Sequence, residues 1–281
     1  MSRRKLIKLL AGLGRFLLLT FFLILVLAPL YWMFVTSLKF DTEIVDVSAV
    51  TFWPRQVTFD NYVALFRQLK FGGFLKNSLI LSLGTSVIVL IFSILGGYGM
   101  ARFKFRGLGG VLLFFLVSQM IPGVLLTIPI YIIYSNLRMI DTKIGLLILY
   151  VVMNTPFCVI TMRSFFERIP ASLEEAAWVD GCTRVQGLIR IVIPVLLPGI
   201  VAVFVFAFTG AWNDLLTGVI FTSSSDNWTI PVGMKSLIGK YNVNWGQLMA
   251  GGTLALLPTI VMFAFVQKYV VGGLTAGAVK E

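Results

Sequence analysis

Few side chains in this 281-residue sequence are suited to covalent or acid–base chemistry. There is no histidine, and the two cysteines, Cys158 and Cys182, are too few and too far apart for a disulfide framework or a zinc site. An ATP-binding P-loop needs the pattern G-x4-G-K-[ST], and the nearest approach, around Gly239, lacks both the first glycine and the final hydroxyl residue. We therefore predict a non-catalytic chain that binds no metal or cofactor itself.

The densest group of acidic side chains lies in the octet EEAAWVDG, residues 174–181, which carries three of the chain's twelve acidic residues. Ser172 precedes Glu175 by three residues, the spacing of a capping box at a helix start. The glutamates of the octet fall in the first turn, where the helix dipole favours negative charge. Gly181 is the residue type that commonly ends a helix. The octet therefore predicts a helix of two turns over 173–180.

A helix this short is not stable alone in water, so its flanks or a partner must hold it. The small face on which we expect another backbone to approach consists of Leu173, Ala176, Ala177 and Gly181. A second helix is predicted next, because Thr183 and Gln186 repeat the capping-box spacing and apolar residues recur at helical spacing from Val185 to Val192. We expect this amphipathic helix to end at Pro194 and to lead directly into a membrane span.

The composition indicates that the elements around the octet are membrane-spanning helices. Hydrophobic residues make up 58% of the chain and charged residues 12%, and apolar runs of about 20 residues recur. Because backbone polar groups in lipid must be satisfied internally, these runs predict an all-α membrane protein. We predict one transmembrane domain over 1–281 with six spans, at about 16–38, 78–101, 108–134, 144–162, 195–212 and 246–267.

Two details qualify these spans. Pro122 and Pro129 are expected to kink the third span. The first span follows a basic N-terminal segment, as in a signal peptide, but its apolar run is longer than such peptides use and no small-residue cleavage site follows it. We therefore expect the first span to be retained.

The distribution of basic residues predicts the orientation in the membrane. Of the 23 lysines and arginines, fourteen fall on the side of the N-terminus and nine on the other side. The positive-inside rule then places both termini in the cytoplasm, together with a loop over 163–194 that contains the octet, and places a loop over 221–245 outside. We attribute the net charge of +11 to this topology and to anionic lipid headgroups, not to nucleic-acid binding.

Polar residues at membrane depth are candidates for a translocation path, because lipid tolerates them poorly. For Gln119 and Asn154, a hydrogen bond between helices is the competing interpretation. Asp214 is expected at the membrane interface, beyond the end of the fifth span. The path candidates are Ser118, Gln119, Asn154, Asn213 and Asp214.

The spacing of the cytoplasmic loop resembles the EAA loop of the permease subunits of ABC importers. The family pattern is E-A-A-x3-G-x9-I-x-L-P, and this chain matches it from Glu175 through Gly181 and Ile191 to Pro194. It departs once, with Ile193 at the leucine position, which conserves volume. The stretch RSFFERIPASLEEAAWVDG is similar to the version found in carbohydrate importers of the maltose type.

Two further segments carry the same resemblance. Trp212-Asn213-Asp214 resembles a WN-acidic signature of these subunits, and residues 267–281 are similar to the C-terminus of the smaller maltose permease subunit. Six spans with the loop between the fourth and fifth also match that subunit. The resemblance therefore implies a type I ABC importer permease in the cell (inner) membrane of a prokaryote.

The resemblance also implies a mechanism, in which the loop helix docks in a cleft of a separate ATPase subunit and transmits its closure to the spans. The implied docking residues are Glu174, Glu175, Ala176, Ala177, Asp180 and Gly181, and the motif ends along the second helix at Ile191, Ile193 and Pro194. The implied partners are a second homologous permease subunit, two ATPase subunits that carry ATP and magnesium, and an extracytoplasmic sugar-binding protein. The implied cargo is a carbohydrate, of di- or oligosaccharide size.

By the same resemblance, the external loop is expected to reach the sugar-binding protein. Its aromatic candidates for stacking on a sugar are Trp228, Tyr241 and Trp245, although an aromatic belt at the membrane surface is the favoured interpretation. The sequence fits two other functions less well. A secondary transporter of a small polar solute usually has ionisable residues near the midplane, and no acidic residue lies well inside a predicted span. A membrane enzyme would lack a histidine and paired carboxylates.

Overall fold

The fold, given by a computed structural model, consists of helices joined by loops within the residues that the structure describes, which are 3–46, 48, 50–239 and 242–278. A π-helical turn lies at Leu188–Val192, and a 3-10 turn lies at Ser225–Asn227. The helices are α1 Arg3–Ser37, α2 Asp41–Val45, α3 Asp60–Gln68, α4 Phe71–Arg102, α5 Leu108–Met120, α6 Gly123–Asn136, α7 Lys143–Glu167, α8 Ser172–Val179, α9 Arg184–Gly187, α10 Ile193–Val195, α11 Leu197–Trp212, α12 Leu216–Phe221, α13 Ile230–Lys235 and α14 Trp245–Ala278.

Four helical segments are individually long and apolar enough to cross a membrane. These are Leu10–Ser37, Phe71–Arg102, Lys143–Glu167 and Trp245–Gln267. Two further pairs of helices pass the same test together, but α5 and α6 are bent by 100°, and Arg184–Val195 and α11 by 79°. The described residues thus hold four spans, or six if each bent pair counts as one span. An all-α membrane fold is confirmed, and the predicted six spans equal the upper count.

The third predicted span is broken rather than kinked. Helix α5 ends at Met120, and Ile121 and Pro122 both have extended ψ angles, of 119° and 121°. The residue before a proline is disfavoured in the helical region, and proline has no N–H to donate to the preceding turn. Pro129, in contrast, lies inside α6 without ending it. The proline at 122 therefore separates two helices.

The chain folds as two compact units. The first unit comprises Met1–Phe71 and Met234–Leu257, and the second unit comprises Gly72–Gly233 and Pro258–Glu281. In the first unit, the side-chain Nδ2 of Asn61 donates to the backbone carbonyl oxygens of Ser37 and Lys39, at 3.0 and 2.8 Å. These bonds join α3 to the end of α1.

The second unit is built around α7, against which α4, α5 and α11 pack. Its apolar core includes Met162 and Phe166 of α7, both fully buried. Helix α4 approaches α7 closely at Gly97, where a Cβ atom would lie 2.9 Å from the backbone nitrogen of Arg163. Absence of a side chain at this position permits the contact, as expected for membrane helices.

Candidate functional site

The octet forms the helix α8, and its C-terminal end is closed as the sequence predicts. Gly181 has a φ of +87°, the left-handed conformation that glycine adopts without strain. Gly181 donates its N–H to the carbonyl of Trp178 at 3.1 Å, and Cys182 donates to Ala177 at 2.9 Å. These two bonds form a Schellman motif. The predicted helix stop at Gly181 is confirmed.

The predicted capping box at the other end of α8 is wrong. Ala171 occupies the N-cap position, with helical φ and ψ angles and no side-chain cap, and Ser172 is already inside the helix. The N–H groups of Glu174 and Glu175 donate to the carbonyl of Ala171, at 2.9 and 3.1 Å. Since the helix begins one residue earlier than predicted, the serine hydroxyl is no longer at the position that can cap it.

Glu174 is buried and anchors α8 to the end of α4. Its side chain is only 3% exposed, and its Oε1 accepts a hydrogen bond from Arg102 Nε at 2.6 Å. Its Oε2 accepts from the Tyr98 hydroxyl at 2.9 Å. Arg102 also donates through Nη2 to the carbonyl of Ile169 at 2.9 Å, just before α8. The family resemblance implies a docking role for Glu174, but here its carboxylate is an internal anchor of the loop.

A second set of contacts joins α8 to the residues around it. The guanidinium of Arg184 lies 5.0 Å from the ring centre of Trp178 and 5.6 Å from that of Phe103, at cation–π distance. A Cβ atom on Gly187 would meet the Ala177 and Trp178 side chains at 3.8 and 3.5 Å. Helix α8 is therefore held by its flanks, as a helix of two turns requires.

The outward surface of α8 differs from the small face that the sequence predicts. Ala177 is buried at 2% exposure, so it faces the chain's own interior. Val179 is 87% exposed, and it is joined on the loop by the exposed apolar residues Val185 and Ile189. We define the docking surface as six of the exposed residues of the α8 segment, which are Leu173, Glu175, Ala176, Val179, Asp180 and Gly181.

The segment after α8 begins as predicted. Gln186 donates its N–H to the Thr183 hydroxyl at 3.3 Å, and Thr183 donates its N–H to the Gln186 side chain at 2.9 Å. The capping box is therefore confirmed. The predicted apolar stripe of Val185, Leu188, Ile189 and Val192 is divided, however. Leu188 and Val192 are buried, while Val185 and Ile189 are exposed.

Pro194 does not end this second helix, contrary to the prediction. Ile193 donates to the carbonyl of Leu188, five residues back, so the helix widens into a π turn. Proline has no N–H and sits in the first turn of α10, so the hydrogen-bond ladder is rearranged rather than stopped. The chain bends instead around Leu196. The motif residues Ile191 and Ile193 are half-buried, and Pro194 is exposed.

The path candidates inside the helices are not brought together by a common contact. Ser118 donates to the carbonyl of Phe115 within α5, at 2.8 Å, and Gln119 is exposed at the end of that helix. Asn154 donates to the carbonyl of Tyr150, one turn earlier in α7, at 2.8 Å. Its Oδ1 would lie 2.4 Å from a Cβ atom on Gly210, so α11 passes directly over it.

The other two path candidates lie where α11 ends. Asn213 is exposed and caps α11 by donating its N–H to Thr209 at 3.1 Å. Both carboxylate oxygens of Asp214 accept from the N–H of Thr217, at 3.1 Å. Both residues thus have local structural roles at the junction of α11 and α12.

Hydrogen bonds within the second unit hold the loop after α12 in place. Asp141 Oδ1 accepts from the backbone N–H groups of Ser223 and Ser224, at 2.9 and 3.0 Å, and from the side chain of Asn227. Asn77 donates to the carbonyl oxygen of Trp228 at 2.9 Å. Burial raises the pKa of Asp141, but these hydrogen bonds outweigh it and lower the pKa to about 2.

The three aromatic candidates do not form a common surface within one unit. Trp228 belongs to the second unit, where its ring lies 5.9 Å from that of Phe74. Trp245 belongs to the first unit, begins α14 and is 46% exposed. Tyr241 lies outside the described residues.

Sequence interpretation missed the residues that anchor the loops. Tyr98 lies inside the second predicted span and Arg102 directly follows it, and no local pattern distinguishes these residues, Asp141 or Asn77. An arginine at the end of a span and a glutamate at the start of the loop are opposite charges, but 72 positions separate them. Only the helix packing shows that they meet.

The fold and the site together define a class of protein: a multi-span helical membrane subunit with a short, anchored helix that presents an exposed surface. Comparison with protein families gives the same answer. Residues 93–275 match the model of the binding-protein-dependent transport system inner membrane component. The chain belongs to this family.

Individual relatives cover nearly the whole chain. The chain is 37% identical over 264 residues to the Escherichia coli inner membrane ABC transporter permease protein YcjP. The aligned region covers 93% of this chain and 94% of that protein. It is 34% identical over 252 residues to the diacetylchitobiose uptake system permease protein DasC of Streptomyces coelicolor, covering 90% and 91%. Its fold is similar to a bacterial ABC transporter involved in the import of the acidic polysaccharide alginate, with a TM-score of 0.81, 24% identity and coverage of 96% and 98%.

Family membership settles three points that the sequence predicted. The chain is a permease component of an ABC importer and is not itself an enzyme, so ATP hydrolysis is performed by a separate ATPase. It is a multi-pass protein of the inner membrane. A secondary transporter and a membrane enzyme, the two alternative functions, do not fit this family.

Proposed function

We propose that this chain is one of two permease subunits of an ATP-driven carbohydrate importer, and that α8 docks one of two ATPase subunits. The observation that carries the proposal is the docking surface itself. It is a helix of two turns whose interior face is fixed by the buried Glu174 and Ala177 and whose other face is open. A short helix with an exposed apolar and acidic surface fits a groove on a separate protein.

The attachment of α8 on two sides supports a role in transmission. Through Glu174 the helix is joined to the end of α4, and through α9, the π turn and α10 it leads directly into α11. Movement of α8 by a docked ATPase would therefore displace two membrane helices. ATP and magnesium would be held by the ATPase subunits, since this chain lacks a P-loop.

Orientation follows from the same proposal. The loop at 163–194 and both termini would lie in the cytoplasm, and the loop at 221–245 would face the extracytoplasmic sugar-binding protein. With the predicted spans, more lysines and arginines fall on the side of the N-terminus than on the other side, which supports this arrangement. A reporter enzyme fused to the C-terminus should be active only if that end is cytoplasmic.

A carbohydrate cargo is supported by the relative whose name specifies diacetylchitobiose uptake and by the sequence resemblance to carbohydrate importers of the maltose type. In an importer of this kind, the binding protein would select the sugar first. Uptake of labelled mono-, di- and oligosaccharides by membranes carrying the complete importer tests the cargo. ATP-dependent uptake of amino acids or ions with no saccharide uptake would contradict it.

The docking role is tested by co-purification. We expect this chain, expressed with its partner subunits, to capture an ATPase subunit, and Glu175→Lys to reduce that capture and the coupled uptake while membrane insertion is unchanged. The matched control is Asp60→Lys, which makes the same charge change at an exposed acidic residue of α3. Capture and uptake equal to wild type in Glu175→Lys would overturn docking through this surface.

A further inference from the structure

A cavity of about 270 Å3 lies entirely within the first unit. Its wall is formed by the last turns of α1, the segment through α2 and the start of α14. It contains none of the docking surface. Its polar and aromatic lining includes Thr36, Lys39, Glu43, Asp46, Thr51 and Trp245.

Two buried polar side chains line this cavity. Thr36 is only 6% exposed, and its hydroxyl has no hydrogen-bond partner among the described residues. An unpaired buried hydroxyl is energetically unfavourable, so such groups usually face water or a ligand. Lys39 is 4% exposed, and its ammonium donates to the carbonyl of Thr51 at 2.5 Å. An ammonium has three donors, so Lys39 can bind a ligand while keeping this bond.

The cavity also presents acceptors and apolar surface. Glu43 accepts hydrogen bonds from the Thr51 hydroxyl and from the Arg55 N–H. Burial raises the pKa of Glu43, but these bonds outweigh it and lower the pKa, so Glu43 is a carboxylate at neutral pH. Trp245 also lines the cavity, and the residue is 46% exposed.

The charges in and beside the cavity are balanced. Lys39 and Glu43 have opposite signs, and Asp46 is paired with Arg55 at 3.9 Å. A strongly charged ligand of either sign would gain little from such a wall, whereas a neutral ligand with many hydroxyls could pair with donors and acceptors together. Sugars also have apolar ring faces that pack on indoles. The volume lies just below the range of about 300–1,000 Å3 usual for small-molecule sites.

We propose that this cavity binds one sugar ring of a neutral carbohydrate, with Thr36 and Lys39 at hydroxyl groups and Trp245 against the ring face. The site is separate from the docking surface, and it rests on the proposed function only for the expectation that carbohydrate reaches it. It would hold one end of a saccharide on the side of the membrane where the segment after α1 lies.

The test uses the assembled importer in lipid nanodiscs without the binding protein. Saturation-transfer NMR with monosaccharides and disaccharides measures the Kd. We expect millimolar binding, weakened about five- to tenfold by Thr36→Val, the loss appropriate to one hydrogen bond. Lys39→Met should weaken it at least as much, since it removes the ammonium at similar side-chain volume.

Two controls separate ligand contacts from general effects. Thr253→Val makes the same change in the first unit, at a hydroxyl that already donates to Met249 and does not line the cavity. Lys76→Met makes the same charge change at an exposed lysine of the second unit. Both controls should bind saccharide as wild type does. Capture of the ATPase subunit by each variant checks folding and assembly.

Two results would overturn the cavity proposal. One is wild-type saccharide affinity in both cavity variants, and the other is no saccharide signal up to about 100 mM, far above a millimolar Kd. ATP-dependent uptake by the same variants, reconstituted with the binding protein in sealed proteoliposomes, keeps the proposed function separate, because uptake can persist whichever result is found.

Discussion

Arg102 Nε lies 2.6 Å from Glu174 Oε1 and joins the last residue of α4 to the first turn of α8 across 72 positions of sequence. The Arg102 side chain is 14% exposed and that of Glu174 is 3% exposed. The helix that carries the docking surface is therefore attached twice, by the covalent chain toward α11 and by this ion pair toward α4. If α8 were attached only to α11, its movement would not be transmitted to α4.

Breaking this ion pair should destabilise the chain strongly. Glu174→Ala leaves Arg102 buried without its carboxylate, and removal of one partner from a buried pair costs roughly 3–5 kcal/mol. Because the two residues share one interaction, the double variant Glu174→Ala with Arg102→Ala should lose less than the sum of the single losses. Thermal unfolding of the purified chain measures all three variants.

The control for that experiment is the second ion pair in the same region. Arg163 and Glu167 lie 2.7 Å apart, one turn apart on α7, but their side chains are 24% and 47% exposed. Exposed pairs contribute only about 0–1 kcal/mol, so Glu167→Ala should change stability little. Equal losses for Glu174→Ala and Glu167→Ala, or strictly additive losses at Glu174 and Arg102, would show that the buried pair has no special role.

Variants of Gly181 should separate the shape of the docking surface from its charge. A Cβ atom there would meet nothing within 4 Å, so the penalty arises from the φ of +87° alone. Alanine in this conformation costs roughly 1–2 kcal/mol, whereas asparagine and aspartate tolerate it better. Gly181→Asn should therefore retain capture of the ATPase subunit, and Gly181→Asp should lose it if the position faces the ATPase.

Gly107 provides the control, because its φ is +98° and a Cβ atom there would also meet nothing within 4 Å. Gly107→Ala imposes the same kind of backbone strain outside the docking surface, and capture should be unchanged. The informative comparison is between asparagine and aspartate at 181, which differ mainly in charge. Equal capture by these two variants would leave no role for this position at the interface.

Sequence patterns predicted the local features of the loop better than its long-range contacts. The glycine stop at Gly181 and the capping box of Thr183 and Gln186 depend on residues within a few positions of each other, and both are confirmed. The anchor of Glu174 depends on the distant Arg102, and it also explains why the α8 start differs from the prediction: the buried carboxylate fixes the first turn.

The effect of a proline on its helix is harder to predict from sequence than a glycine stop or a capping box, because three prolines here have three different effects. Pro122 separates α5 from α6, Pro129 lies inside α6, and Pro194 accompanies a π turn. A missing N–H can be accommodated by a break, by a local distortion or by a shifted hydrogen-bond ladder. Packing of the neighbouring helices selects among these, so spacing could not predict that Pro122 breaks the span rather than kinking it, or that the chain bends at Leu196.

The approach of α4 to α7 should depend on Gly97. A Cβ atom there would lie 2.9 Å from the Arg163 backbone nitrogen, and a backbone atom cannot rotate away as a side chain can. Overpacking of this kind costs roughly 1–3 kcal/mol. Gly97→Ala should therefore lower the unfolding temperature. Gly99→Ala is the control on the same helix, because a Cβ atom there would meet nothing within 4 Å. An equal change in both variants would contradict this account of the contact.

The loop after α12 should lose stability in acid through Asp141. Its hydrogen bonds from Ser223 and Ser224 favour the carboxylate and hold its pKa at about 2, below the ordinary value of about 3.8. A pKa lowered by folding contributes stability that is fully present above the ordinary value and is lost as pH falls through the lowered one. The relevant window therefore runs from about pH 4 down to about pH 2.

Asp141→Asn isolates this contribution, because asparagine tolerates the positive φ of 57° at this position but does not titrate. The difference in unfolding temperature between wild type and Asp141→Asn should be constant from pH 7 to about pH 4 and should shrink as pH approaches about 2. Ser224→Ala, which removes one hydroxyl donor to the carboxylate, should shift the loss toward higher pH. A wild-type advantage that is the same at pH 7 and pH 2 would show that the Asp141 carboxylate does not stabilise this loop through its charge.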